Sequence, residues 1–418
     1  FGNGSDLDQT ELLRYLKDDD ETKVIAVYAE NIRDGRAFMD VLSETCRQKP
    51  VVIIKSGRTG SGQRAALSHT GSLAGADSVY DAAFAASGAI RADSVEDMLD
   101  ICKGLTLLPA MDGDRLAIIT NSGGPGVMSA DACEKNGLLL PEPSATLKQE
   151  LRGFLPAHAG LANPIDVTVE GTDEQYRLAL AAALKEYDAA LVIDIGTPYL
   201  AALPIARGVL AAAGESGKPV ACNFEVGHDI GQARQLLDEN GAPCFASGER
   251  AVRALAKLAE YRRLRRNLKP RPDLSVAPRP LDNDLPALLE YQSMRLFADL
   301  GIATPEFAFL AAGEDARAAS AAMGRYPQVM KIVSPQILHK SDVGGVKLNI
   351  MDADQAEAAY RELEAIGAGR DFRGVMMYPQ LDKGAEVIVG FSRDPGFGPV
   401  VVCGMGGIYT EILKDISL

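Results

Sequence analysis

The chemistry in this sequence gathers around His69, one of four histidines in the chain. It lies near the end of Lys55–Gly75, KSGRTGSGQRAALSHTGSLAG, which runs between the apolar Val51–Ile54 and a stretch with helical spacing at Ala76–Ser87. Lys55, Arg58 and Arg64 bring positive charge, and Ser68, Thr70 and Ser72 bring hydroxyl donors. Glycines at Gly57, Gly60, Gly62, Gly71 and Gly75 allow the backbone to come close to a ligand. That set suits a phosphate, either bound or attached to the imidazole. An ordinary strand-to-helix loop with one solvated histidine has much the same composition, so the residues alone leave both readings open.

Other residues carry weaker signals. Glu30 follows the strand-like KVIAVYA, and a carboxylate at the carboxyl end of a parallel strand stands where open sheets bind ligands; a helix cap or a solvated edge is the plainer alternative. NSGGPG, after RLAIIT, sets Ser122, Gly123, Gly124 and Gly126 at a helix start predicted near Val127. Open amides there attract anions, although tight turns need glycine for steric reasons too. Lys331 falls within the apolar VMKIV, a costly place for an ammonium unless an anion pairs with it. Next comes ILHKSDVGGVKLNI, in which the backbone at Gly344-Gly345 can fold over phosphates, and then VMMYPQLD, read as a strand and a hinge. Glu386 opens a further strand, and Glu411 and Asp415 stand at i and i+4. His158 and His228 have no motif around them.

These residues need a scaffold. Alternating strand and helix signals up to about Leu108 describe a flavodoxin-like open sheet, and from Arg115 the pattern starts again. Strands are expected at Ala189–Asp194 and Pro219–Asn223, with helical spacing over Glu174–Lys185, Ala202–Glu215 and Asp229–Glu239. Asn163-Pro164-Ile165-Asp166 reads as a structural turn. A helix over Glu249–Leu268 ends in Arg262, Arg263, Arg265 and Arg266, a patch better suited to a neighbouring domain than to nucleic acid or lipid, because the chain's net charge is −14. Lys269–Pro286, with five prolines and no regular period, is a semi-extended linker.

Length and composition set the outer limits. A chain of 418 residues implies several domains. The acidic balance and the absence of tryptophan argue against a nucleic-acid groove, and the apolar runs are too short for a membrane span. Six cysteines without paired spacing fit a reducing compartment. A cytoplasmic location is expected, and the Phe1 start suggests a piece of a longer chain.

GRTGSGQRAALSHTGSLAG resembles the phosphohistidine segment of the ADP-forming acyl-CoA synthetases, relatives of succinyl-CoA synthetase. The later motifs follow in that family's order over nearly the whole chain. The resemblance implies an α/β protein with two flavodoxin-like open parallel-sheet domains followed by a partial ATP-grasp domain. The expected divisions are 1–110, a phosphohistidine domain opening on the tail of a CoA-binding domain; 111–268, a second CoA-ligase domain; 269–284, the linker; and 285–418, the ATP-grasp domain. By the same resemblance His69 carries phosphate, Glu30 orients the imidazole, and the helix after NSGGPG faces the phosphohistidine. Ser68, Thr70, Gly71, Ser122, Gly123 and Gly124 become phosphate-binding residues. Lys331 with Gly344, Gly345 and Val346 would contact the nucleotide phosphates; Met377, Tyr378 and Gln380 would frame adenine, and Glu386 would lie near the ribose. His339 matches a second histidine that relays phosphate in part of the family. The family's magnesium-binding E-LDINP would fall beyond Leu418, so the metal ligands stay unassigned.

The activity implied is carboxylic acid + CoA + ATP ⇌ acyl-CoA + ADP + phosphate, by way of phosphohistidine. ATP or ADP, Mg2+ and coenzyme A are the expected cofactor and substrates, and a homo-oligomer is the expected assembly, with no nucleic-acid or membrane partner. Two alternatives belong to other classes: a regulatory CoA- and nucleotide-binding module of a protein lysine acetyltransferase, and a binding module without turnover. His69 argues against the first, since that group commonly lacks it. The identity of the carboxylic acid is not legible.

Overall fold

A computed structural model describes residues 7–59, 77–197, 200–227, 229–268, 288–405 and 416–417. Among them, β1 (Ile25–Ala29), β2 (Val51–Lys55) and β3 (Ile90–Arg91) form a parallel sheet in the order β1-β2-β3. All five residues of β2 are buried, which fits its unbroken apolar run, and helices Gly35–Gln48 and Val95–Leu107 both pack against it. Asp34 and Ser94 cap these two helices, accepting from the amides of Ala37 at 3.0 Å and Asp97 at 3.1 Å.

The second sheet, β5-β4-β6-β7, is also parallel. It comprises β4 (Leu116–Thr120), β5 (Ile165–Asp166), β6 (Ala189–Ile195) and β7 (Val220–Glu225). Helices Asp173–Ala183 and Ala202–Ser216 bury their alanine-rich faces with one side of it, and helix Gly248–Asn267 covers the other. Thr172 and Gln175 close a capping box on the first of these helices. Asn163 clamps the start of β4, accepting from the Ile118 amide at 3.0 Å and donating to the Leu116 carbonyl at 2.8 Å. Arginines in the last turns of Gly248–Asn267 pair with Asp112, Arg262 at 2.6 Å and Arg266 at 2.9 Å, so the basic patch is partly neutralised within the fold.

The chain divides into two compact units, 1–271 with 386–418, and 272–385. The second unit has an antiparallel sheet in the order β10-β9-β11-β8. Its strands are β8 (Ala308–Ala311), β9 (Gln328–Val333), β10 (Val346–Ile350) and β11 (Gly374–Pro379). Met330, Ile332, Val375 and Met377 turn one face into a core with helix Ala353–Gly367. The strands β12 (Val387–Asp394), β13 (Gly398–Met405) and β14 (Ile416–Ser417) form a separate antiparallel sheet, grouped with the first unit. No helix among the described residues is long and apolar enough to cross a membrane.

Candidate functional site

The register of the first sheet sets the root of the His69 loop. Ala29 pairs with Lys55, and the Ser56 amide donates to the Ala29 carbonyl at 3.0 Å, so Glu30 and Ser56 leave the same carboxyl edge side by side. Glu30 is exposed there. Lys55 is only 2% exposed, its ammonium donates to the Ser56 carbonyl, and it lies 4.6 Å from the centre of the Tyr80 ring. Burial pulls its pKa down; Asp77 and Glu30 counter this and Arg91 adds to it. Arg58, one of the residues that bring positive charge here, pairs with Asp93 at 2.6 Å and Asp77 at 3.5 Å. His69, Ser68, Thr70, Gly71 and Arg64 lie outside the described residues.

The helix after β4 begins at Gly123, not near Val127. Glycine's poor propensity hides this first turn in the sequence, while Pro125 is tolerated there because a first-turn amide has no intrahelical acceptor. Ser122 is the N-cap, yet its side chain makes no capping hydrogen bond. Gly123 and Gly124 are exposed, and a Cβ on either would meet nothing within 4 Å. Crowding therefore explains only Gly126, where a Cβ would come within 3.1 Å of Thr120 Cγ2. An open, uncapped helix start is what an anion site requires.

The carboxyl edge of the second sheet holds a cluster that the motif reading passed over. Asn121 donates to the Asp194 carboxylate and the Ile195 carbonyl, both at 3.0 Å, and the Tyr176 hydroxyl reaches the same carboxylate at 3.4 Å. Burial pushes the Asp194 carboxyl up to about 6, against those hydrogen bonds. Thr168 Oγ1, Thr197 Oγ1 and Asn223 Oδ1 are buried without a hydrogen-bond partner. Thr168 and Val226, both β-branched, adopt positive φ of 70° and 58°, a strained conformation that concentrates at ligand sites. Polar residues towards the carboxyl ends of β5, β6 and β7 were the available signal. The rule that singled out Glu30 applies equally to Asp166, Asp194 and Asn223.

In the second unit, the anion that Lys331 requires is Glu290, the first residue of helix Glu290–Asp299. Its two carboxylate oxygens take Lys331 and Lys340, each at 3.0 Å. The Lys331 ammonium also lies 5.2 Å from the centre of the Tyr378 ring. Burial opposes the Lys331 charge, but Tyr378 and Glu290 outweigh it and the pKa rises. Burial likewise opposes the Glu290 charge, and the two lysines outweigh it, so its pKa falls. Val346 pairs with Lys331 across β10 and β9, which brings Lys331, Val346, Tyr378, Lys340 and Glu290 together.

The remaining nucleotide candidates divide. Met377 is fully buried in the opposite face, so its side chain is core. Gln380 holds Asn349, accepting from its amide at 2.8 Å and donating to its side chain at 3.1 Å. The amides of Gly344 and Gly345 donate within their own loop, to Ser341 at 3.1 Å and Lys340 at 2.7 Å. Steric needs also account for them: a Cβ on Gly345 would lie 2.6 Å from Ile332 Cγ2, and Gly344 has φ of 70°. Both glycines shape the loop, and the side chains of Lys331 and Lys340 supply its positive charge. His339 is exposed beside Lys340, and Glu386 is exposed just before β12 in the other unit. No three His, Cys, Asp or Glu side chains among the described residues are placed to hold a metal ion.

Three family models match the chain. They are a succinyl-CoA ligase-like flavodoxin domain over residues 1–105, a ligase-CoA domain over 116–268 and an ATP-grasp domain over 281–418. The chain is 38% identical over 432 residues to an ADP-forming acetate–CoA ligase of Archaeoglobus fulgidus, and 30% identical over 435 residues to the ADP-forming 4-hydroxybutyrate–CoA ligase of Nitrosopumilus maritimus. Each alignment takes in the whole chain, which spans 62% of the length of these relatives. The dinucleotide-forming acetyl-coenzyme A synthetase 1 of Ca. Korarchaeum cryptofilum, solved with phosphate and ADP, is 40% identical with a TM-score of 0.60, over 64% of this chain and 59% of that one. Three domain signatures in this order, and similarity to such ligases along its whole length, establish that the chain belongs to the ADP-forming acyl-CoA synthetase family, related to succinyl-CoA synthetase.

Proposed function

We propose that the protein interconverts a carboxylic acid, CoA and ATP with acyl-CoA, ADP and phosphate, and that His69 carries the phosphoryl group between the two halves of the reaction. Phosphate oxygen attacks the thioester carbonyl and CoA leaves as the thiol, giving an acyl phosphate. An imidazole nitrogen of His69 then attacks phosphorus and the carboxylate leaves. Finally an oxygen of the ADP β-phosphate attacks the phosphohistidine and restores the imidazole. Such transfers depend on positioning and charge compensation more than on covalent help. Glu30 orients the imidazole and stabilises its cationic form. The open helix start at Ser122–Gly124 and the carboxyl edge with Asn121 and Thr168 receive the acyl phosphate. Lys331 and Lys340 hold the nucleotide's phosphates, with Tyr378 beneath Lys331. The nucleotide enters as its magnesium complex.

The observation that carries this reading is Lys55. An ammonium buried at the root of the His69 loop, without an ion-paired carboxylate among the described residues, is a stable arrangement when an anion comes to it. Full-length protein incubated with γ-labelled ATP and magnesium should take up label that is acid-labile and base-stable, and mapping should place it on His69. His69→Ala should abolish acyl-CoA synthesis. Full synthetase activity in that variant would overturn the reading.

A further inference from the structure

The turn between β12 and β13 belongs to the segment matched by the ATP-grasp model, yet it packs on the succinyl-CoA ligase-like domain. We propose that this turn, Asp394 to Pro399, is a docking key that holds the chain beyond the linker onto the first flavodoxin-like domain, with Phe397 as its anchor.

Phe397 is 2% exposed and shares a core with Phe38, Val79, Tyr80, Ala83 and Phe84. Its ring meets Tyr80 edge-on, with centroids 5.1 Å apart. The seat is shaped for that ring: a Cβ on Gly35 would lie 2.4 Å from Phe397 Cδ1. Polar contacts fix the register. The Gly35 amide donates to the Gly396 carbonyl at 3.0 Å, and Arg36 donates to the carbonyls of Phe397, at 2.7 Å, and Pro399. The key is also formed in advance, because the buried Asp394 carboxylate accepts from the amides of Gly396 at 2.8 Å and Phe397 at 3.0 Å. Attachment is concentrated on the tip, since Val387, Val389 and Phe391 along β12 are exposed. A single buried aromatic anchor with hydrogen bonds around it has the anatomy of an interface hot spot. The Tyr80 ring that receives Phe397 also carries the Lys55 ammonium, so the key is seated one side chain from the root of the His69 loop.

The test is to place a specific protease site within 269–284 of the full-length protein, cleave after folding, and measure whether the two pieces separate on dilution. The unaltered pieces should stay associated. Phe397→Ala should weaken that association by about 100-fold, as expected for a hot-spot anchor. Gly35→Ala should weaken it comparably from the other side of the contact. Alanine favours the helix that Gly35 begins, so a weaker association in that variant reports the lost seat and not an unfolded domain. Pieces that part in the unaltered protein, or that hold equally well in either variant, would overturn the proposal.

Discussion

Replacing Lys331 with methionine keeps an unbranched side chain over Tyr378 and removes one of the two charges that face Glu290. The gross attraction between Lys331 and Glu290 at 3.0 Å is about 5 kcal/mol at an effective dielectric near 20. Both side chains are about a quarter exposed, 27% and 25%, so solvent screening and desolvation reduce the net to roughly 1–2 kcal/mol. Nucleotide binding suffers twice. One charge-assisted bond to phosphate disappears, worth about 1.5–3 kcal/mol. Glu290, now balanced by Lys340 alone, also repels the incoming anion. ADP affinity in Lys331→Met, measured by calorimetry with magnesium on the full-length protein, should fall by about 100-fold. The double variant Lys331→Met with Glu290→Gln should recover roughly tenfold of that loss, because the released carboxylate is gone. ADP affinity within about threefold of the unaltered protein would refute the assignment of these lysines to phosphate. Recovery absent from the double variant would refute the electrostatic account of Glu290.

Two further outcomes follow from the strand ends. Asp194 has a higher carboxyl pKa folded than unfolded, about 6 against 3.8, so the folded protein binds its proton more tightly and stability should fall as pH rises from about 4 to 6. The ceiling on that loss is roughly 3 kcal/mol at about 1.4 kcal/mol per pH unit; Asp194→Asn should remove the step in thermal unfolding between those pH values, and an unchanged step would place its origin elsewhere. Glu30→Gln should lower the rate of phosphoryl transfer through His69 by about 100-fold while leaving ADP affinity unchanged; an unaltered single-turnover rate would exclude Glu30 from the reaction.

Much of the scaffold was legible in one dimension. Unbroken apolar runs of strand length such as Val51–Ile54 and Ala189–Ile193 read as strands buried on both faces, and they alternate with helical spacing, so parallel open sheets are the expectation from local pattern. Lys331 declared its need for an anion for the same local reason, an ammonium among apolar neighbours. Local sequence could not show which carboxylate would answer. Glu290 is 41 residues away and reaches Lys331 only after its helix packs beside the sheet. Nor could it separate glycines kept for a ligand from glycines kept for space. Gly123 and Gly124 stand in the open, while Gly345 is confined by Ile332 and Gly35 by the ring of Phe397, from the far end of the chain. Charge needs followed from composition along the strand, but pairing and steric room are properties of neighbours, and only the tertiary structure decides who the neighbours are.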